Sequence, residues 1–261
     1  SMQDSMYSAM FGAMTCEHRL NIISNNLANV NTTGYKKDHL AFKDVFIRFA
    51  HDTIMEPIMN VRSKKLLPEP IHLAKPRIAM SRTEFVQGSM KRTDAPLDVA
   101  VMGEGFLKVN TPQGEFLTRN GHFQMTTDGQ LITEQGFSVM GTGGEIVLPP
   151  NSSVHINGAG EIFANNELVD QLQVVSVDNL DSLEKQGHNL FKLRRGSEAQ
   201  EIPAPNAEIA QGFLETSNVN VVEEMVNMIE TQRAFESYQK MISSTQELDT
   251  KAITRVGRDK G

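Results

Sequence analysis

Apolar and small residues recur at alternating steps of four and three along the start of the chain. Met2, Met6, Ala9, Ala13, Cys16, Leu20, Ile23, Leu27 and Val30 follow one another in this way. A seven-residue repeat of that kind places its members on one narrow stripe of an α-helix. Between them lie polar residues, among them Glu17, His18, Arg19, Asn21, Ser24 and Asn25. The pattern predicts a helix that ends at Asn31-Thr32-Thr33-Gly34, a turn-forming cluster whose glycine can adopt a positive φ. So narrow a stripe favours packing against another helix over packing on a broad core.

A second periodic region lies near the other end. Asn220 with Glu223 three residues on resembles a capping box with Asn in place of Ser or Thr. Val221, Met228, Phe235 and Ile242 then recur at every seventh position, with Met225, Gln232, Gln239 and Gln246 interleaved four residues after each. No Gly or Pro interrupts Val221 to Val256. That stretch predicts a helix of about 35 residues, about 50 Å long. A seam that is half glutamine implies hydrogen-bonded or wet contacts.

The middle of the chain reads differently. Residues 35–90 hold Pro57, Pro68, Pro70 and Pro76 and the basic run Arg62-Ser63-Lys64-Lys65, which fits an arm or linker with some strand. Residues 91–215 read as β. Leu97, Val99 and Val101 alternate, and turn pairs recur at Asn120-Gly121, Asp128-Gly129, Gln135-Gly136 and Gly143-Gly144. Short runs such as Glu115–Thr118, Leu131–Thr133 and Ile146–Leu148 lie between them, as in an antiparallel meander closing into a barrel or sandwich. Leu172–Val177 is a central-strand candidate. The expected fold class is therefore α+β. An N-terminal helix (2–34) and a C-terminal helix (216–261) pair as a coiled coil, and the proline-containing arm (35–90) and an antiparallel all-β domain (91–215) are inserted between them.

Composition narrows the functions. The net charge of −7 argues against nucleic acid as the main partner. The charge is segregated: residues 35–94 carry 12 Lys and Arg against 7 Asp and Glu, whereas residues 95–218 carry 6 against 16. A basic part of one copy facing an acidic part of the next would fix orientation in an assembly. Cys16 is the single cysteine, so no internal disulfide is possible. No run of apolar residues is long enough to insert into a membrane, and no basic then apolar leader marks an ordinary cleaved signal peptide. The seven histidines show no His-Glu-x-x-His spacing, and the short glycine clusters lack the Lys-Ser/Thr of a phosphate loop. No catalytic, cofactor-binding or metal-binding residues are expected, no cofactor is implied, and the chain reads as a non-enzyme.

Both ends carry recognisable words. Asn21–Lys36, with Asn25, Asn26, Leu27, Ala28, Asn29, Asn31, Thr32 and Gly34, resembles the N-terminal signature of the bacterial flagellar basal-body rod and hook proteins. Ser217–Glu236, with Ser217, Asn218 and Asn220 at its start, resembles the C-terminal signature of the same family. Asp94–Leu107 looks like the family's approach to its β domain. Within the family, Ser5–Ala13 and Gly141–Pro150 look most like the proximal rod members, with the distal ones next. The resemblance implies a structural axial subunit that polymerises helically through its terminal helices, transmits torque and lines the export channel. It also implies a place in the periplasm-spanning rod, reached by type III export without a cleaved signal. Its partners would be other rod subunits and itself, with ring proteins and peptidoglycan nearby. The assembly interface is then expected at the two seams: Met6, Ala9, Ala13, Cys16, Leu20, Ile23, Leu27 and Val30, and Val221, Met225, Met228, Gln232, Phe235, Gln239 and Ile242. The alternative is a periplasmic module that binds the wall or a ring protein and is anchored by a coiled coil.

Overall fold

The structure, a computed structural model, describes residues 2–44 and 77–258. The four prolines of the expected arm and its basic run at 62–65 lie outside the described residues.

The two periodic regions are helices. The first, α1 (Met2–Ala28), is followed by a turn in which Gly34 adopts φ +68°. The last, α2 (Val221–Arg258), has 38 residues and is about 57 Å long. Asn220 caps it: its side-chain oxygen accepts the backbone N–H of Val222 at 3.1 Å and of Glu223 at 3.3 Å. The Glu223 carboxylate, the other half of the expected box, instead lies 3.9 Å from Lys37 Nζ. The helices run antiparallel. Asn26 near the end of α1 donates to Glu224 near the start of α2, and Gly12 lies against Tyr238 further along. A Cβ on Gly12 would sit 2.5 Å from the Tyr238 ring, so only glycine lets the ring reach the α1 backbone here.

All strand pairs among the described residues are antiparallel. Strand β1 (Asp38–Asp44) pairs with β2 (Arg77–Thr83), Asp38 opposite Thr83 and Asp44 opposite Arg77. The described part of the arm is thus a two-stranded ladder. The chain then pairs the two ends of the inserted region with each other. Strand β3 (Met90–Arg92) pairs with 213–215, and β4 (Val99–Met102) with 208–211. Between these ladders, β5 (Phe106–Thr111) and β6 (Gly114–Thr118) lie in a ten-stranded sheet, and residues 154–171 form a separate three-stranded one. The largest apolar cluster joins Val99, Val101, Leu107, Phe123, Leu131, Val139, Ile146 and Leu148 to Ile156, Ile162, Leu172 and Ile209. A second holds Phe106, Leu117, Val177, Leu183 and Phe191, with Phe85 edge-on to Phe106 at 5.6 Å and to Phe191 at 5.3 Å.

Three of the four expected turn pairs are turns with a left-handed glycine: Gly129, Gly136 and Gly144. Asn120-Gly121 is not a hairpin turn. Gly121 O accepts the Val99 N–H at 3.0 Å, and a side chain at Gly121 would strike the Val99 carbonyl. The glycine there serves close backbone approach. The expected strand at 172–177 is shorter, Val174–Val177, because Leu172 turns inward and pairs with Gly141 as an isolated bridge.

Candidate functional site: the helix–strand joint and the outer helix faces

The segment leaving α1 passes between the start of α2 and the β body, and charged side chains are buried where the three meet. Lys36 Nζ lies 2.6 Å from Glu215 Oε1, and both side chains are fully buried. Lys36 Nζ also donates to Val86 O at 2.8 Å. Glu215 Oε1 accepts the Gly88 N–H at 2.7 Å, and Glu215 Oε2 lies 3.4 Å from Arg119 Nη1. Arg119 donates to Val101 O and Gly103 O and lies over the Phe106 ring at 5.2 Å, which leaves its Nε without an acceptor. Burial pulls Lys36 and Arg119 below their ordinary values, and the Glu215 carboxylate opposes this in both. Two buried cations thus share one carboxylate. Such a group is strongly position-specific, because moving any member leaves a buried charge unpaired.

The signature asparagines extend this joint. Asn26, buried, has Oδ1 accepting from Tyr35 OH at 3.1 Å and from the Asp38 N–H at 3.0 Å. Its Nδ2 donates to Asp38 O at 2.8 Å and to Glu224 Oε2 at 3.2 Å. One amide therefore ties α1, α2 and β1. Asn218 Oδ1 accepts the Lys37 N–H at 2.7 Å, and its Nδ2 donates to Glu84 O and Val86 O. Lys185 Nζ reaches from the β body to Asp38 Oδ2 at 2.8 Å and stands 4.2 Å above the Tyr35 ring. Gly34 donates its N–H to Glu215 O at 2.8 Å, and a Cβ there would meet the Arg119 backbone at 2.6 Å. The remaining signature residues close the turn itself. Asn29 donates to Asn25 O and Oδ1, Thr32 donates to Asn29 Oδ1, and Ser217 Oγ accepts the Val219 N–H. Leu27 is half-buried, while Ala28 and Asn31 are exposed.

The α1 seam faces α2. Ala9, Cys16 and Ile23 are buried, and Met6, Ala13, Leu20, Leu27 and Val30 are half-buried. The α2 seam is shifted from its expected place. Met228, Phe235 and Ile242 are half-buried as expected, but Gln232 and Gln239 are exposed, as are Val221 and Met225. The alternate positions facing α1 are one residue earlier: Glu224, Thr231, Tyr238 and Thr245. A helical turn of 3.6 residues makes steps of three and four both admissible, and side-chain chemistry decides between them. The threonines satisfy their own hydroxyls on the preceding turn, Thr231 on Asn227 O at 2.6 Å and Thr245 on Met241 O at 2.9 Å.

Large apolar side chains point away from the pair. On α1, Tyr7, Met10, Phe11 and Met14 are between 42% and 71% exposed. On α2, Val222, Met225, Val226 and Ile229 are between 49% and 72% exposed. Contiguous apolar surface of this kind marks association sites. Among the described residues no set of His, Cys, Asp or Glu is grouped to hold a metal ion, and no helix is long and apolar enough to cross a membrane. A cleft of 720 Å³ between residues 80–83 and 179–185 is bordered by the pairs Arg82–Asp181 and Arg194–Glu184, which neutralise each other.

Three family models match the chain. Residues 6–36 match the flagella basal body rod protein model, residues 100–164 the flagellar hook protein FlgE/F/G D1 domain, and residues 210–255 the flagellar basal body rod FlgEFG protein C-terminal model. The flagellar basal-body rod protein FlgG of Buchnera aphidicola subsp. Acyrthosiphon pisum is 36% identical over 95% of this chain and 97% of its own length. This chain belongs to the flagellar basal-body rod protein family. FlgF of Caulobacter vibrioides is 32% identical over 98% of this chain and 99% of its own, and FlgG of Bacillus subtilis 31% over 95% and 97%. Each member of the buried charge group lies in a different rod-family segment: Lys36 in the first, Arg119 in the second and Glu215 in the third. Sequence reasoning missed Arg119 and Glu215. Their signal was a charge at the close of a short strand run, after Phe116-Leu117-Thr118 and after Phe213-Leu214.

Proposed function

We propose that this chain is a structural axial subunit of the bacterial flagellar basal-body rod, polymerising helically through its terminal helices to transmit torque and form the export channel. The observation that carries this reading is the combination of family membership with the outer faces of the helix pair, where apolar residues lie exposed on both helices. The inward seam, from Met6 to Val30 and at Met228, Phe235 and Ile242, holds the two helices together as a coiled coil. The outward residues, including Val221, Met225, Gln232 and Gln239, are free for neighbouring subunits. The buried joint then passes load from the helical core to the β body. In this reading the chain is of the proximal, FlgF-like kind and is no enzyme. It lies in the periplasm-spanning rod, is exported without a cleaved signal peptide, and has other rod subunits as partners, with ring proteins and peptidoglycan nearby.

The test is to delete the gene, restore it with an epitope-tagged copy, and purify basal bodies. The tagged chain is expected in the rod fraction with motility restored, whereas a copy carrying Phe11→Asp on the exposed outer face folds but fails to incorporate. A chain absent from basal bodies, or a Phe11→Asp copy that restores motility, would overturn the reading.

A further inference from the structure

The two outward stripes match each other. On α1 the exposed residues are Tyr7, Met10, Phe11 and Met14; on α2 they are Val222, Met225, Val226 and Ile229. Both follow the spacing i, i+3, i+4, i+7, which fills two turns of one helix face. In α1 that face is turned away from Ala9 and Cys16, and in α2 away from Glu224 and Thr231. The stripes therefore look outward on opposite sides of the pair. They also lie at opposite ends of it. Across the pair within one chain, facing residue numbers add to 250, as Gly12 with Tyr238 and Asn26 with Glu224 do. The α1 stripe is thus level with residues 236–243, not with residues 222–229.

Resting on the rod-subunit reading, we infer that the α1 stripe of one copy seats on the α2 stripe of the next, with the two copies pointing the same way. Within one chain α1 and α2 are antiparallel, so α1 of one copy meets α2 of a like-oriented neighbour antiparallel. In that arrangement Tyr7 faces Ile229, Met10 faces Val226, Phe11 faces Met225 and Met14 faces Val222. Each of these pairs adds to 236. Every exposed apolar residue of one stripe meets one of the other, and no charged residue lies in either set of four. The step from 250 to 236 is 14 residues, which displaces each copy from the next by about 21 Å along the helix axis. The contact joins two different surfaces and leaves one of each unfilled at the ends, so it adds subunits without closing on itself. The occupant is a second copy of this chain because the chain itself carries both halves, equal in length and spacing.

The test uses the full chain in a Cys16→Ala background, with one cysteine introduced per copy. Copies carrying Met14→Cys are mixed with copies carrying Val222→Cys and oxidised, in purified protein and in basal bodies from cells making both. A parallel mixture pairs Met14→Cys with Ile229→Cys. Disulfides form only when Cα atoms come within about 7 Å, and residues 222 and 229 stand about 10 Å apart along α2. Linked dimers are expected with Val222→Cys, and about ten-fold fewer or none with Ile229→Cys. Preferential linkage to Ile229→Cys would show opposed copies and overturn the inference. So would linkage of Met14→Cys to a different protein, or no linkage in chain recovered from basal bodies. Linked dimers in purified protein with the chain missing from basal bodies would sink the rod reading and leave the pairing standing.

Discussion

Replacing Glu215 by Gln keeps its shape and removes the one negative charge between Lys36 and Arg119. Lys36 lies 2.6 Å and Arg119 Nη1 3.4 Å from it, and the Lys36 and Glu215 side chains have no solvent exposure. Water cannot take over the lost charge. Removing one partner of a buried pair costs about 3–5 kcal/mol, because the other charge is left uncompensated. Lys36→Met perturbs the same contact differently. Glu215 then still holds Arg119 and the Gly88 N–H at 2.7 Å, so the cost is that of a lost charged hydrogen bond, about 1–3 kcal/mol. Urea unfolding followed by circular dichroism measures both. With a slope of about 3 kcal/mol per molar for a chain of this length, the midpoint falls by about 1–1.7 M for Glu215→Gln and by about 0.3–1 M for Lys36→Met. The slope itself should not change. A Lys36→Met loss equal to or larger than that of Glu215→Gln would refute the claim that two cations depend on this one carboxylate.

Gly12→Ala should destabilise the chain by about 1–3 kcal/mol although Ala is the better helix former by about 1 kcal/mol, because its Cβ would enter the Tyr238 ring. Adding Tyr238→Leu should recover part of that loss in the same urea assay, and a stabilising Gly12→Ala would refute the close packing of the Tyr238 ring on Gly12. Burial first, then the Asp38 and Glu224 carboxylates, push the Tyr35 phenol above its ordinary value of 10. The folded chain therefore keeps a proton that the unfolded chain releases, and this group's contribution, intact below pH 10, is lost as pH rises further. In a Tyr7→Phe, Tyr238→Phe background, phenolate absorbance should lag behind an ordinary midpoint near 10 until the protein unfolds. An ordinary titration of the folded protein would count against a buried Tyr35.

The helices and their ends were legible in the sequence because a seven-residue repeat, a capping Asn220 and an uninterrupted stretch are local signals. The seam of α2 was legible only at Met228, Phe235 and Ile242. Its alternate positions are set by the packing of the two helices, which the repeat alone does not carry; Thr231 and Thr245 are buried there with their hydroxyls bonded to the preceding turn. Three turns followed from their glycines. Asn120-Gly121 did not, because its glycine answers to Val99, which is distant in sequence. The signature words include Asn26, Gly34 and Asn218, which meet at the joint. That Asn26, Gly34 and Asn218 build a joint inside the chain depends on contacts spanning up to 198 positions, which no local pattern carries.

The division of labour between these parts follows from what each buries. The contact between α1 and α2 alternates small or polar groups, Ala9, Gly12, Ala13 and Cys16 on α1 and Glu224, Thr231 and Thr245 on α2, with larger apolar ones, Leu20 and Ile23 on α1 and Met228, Phe235 and Ile242 on α2. The small positions permit close approach, and the larger ones remove apolar surface from water. A second set of large apolar groups on the same helices faces outward, with about half of each side chain still wetted. Covering eight of them would contribute about 1 kcal/mol or more each, of the same order as the cost of bringing two subunits together. The helix pair is therefore held by its own seam and gains further stability where its outward faces are covered. The joint, with Lys36, Glu215 and Asn26 fully buried in the single chain, is complete before any neighbour arrives. A subunit built this way fixes the angle between its helices and its β body in advance and leaves its helices to be stabilised on incorporation.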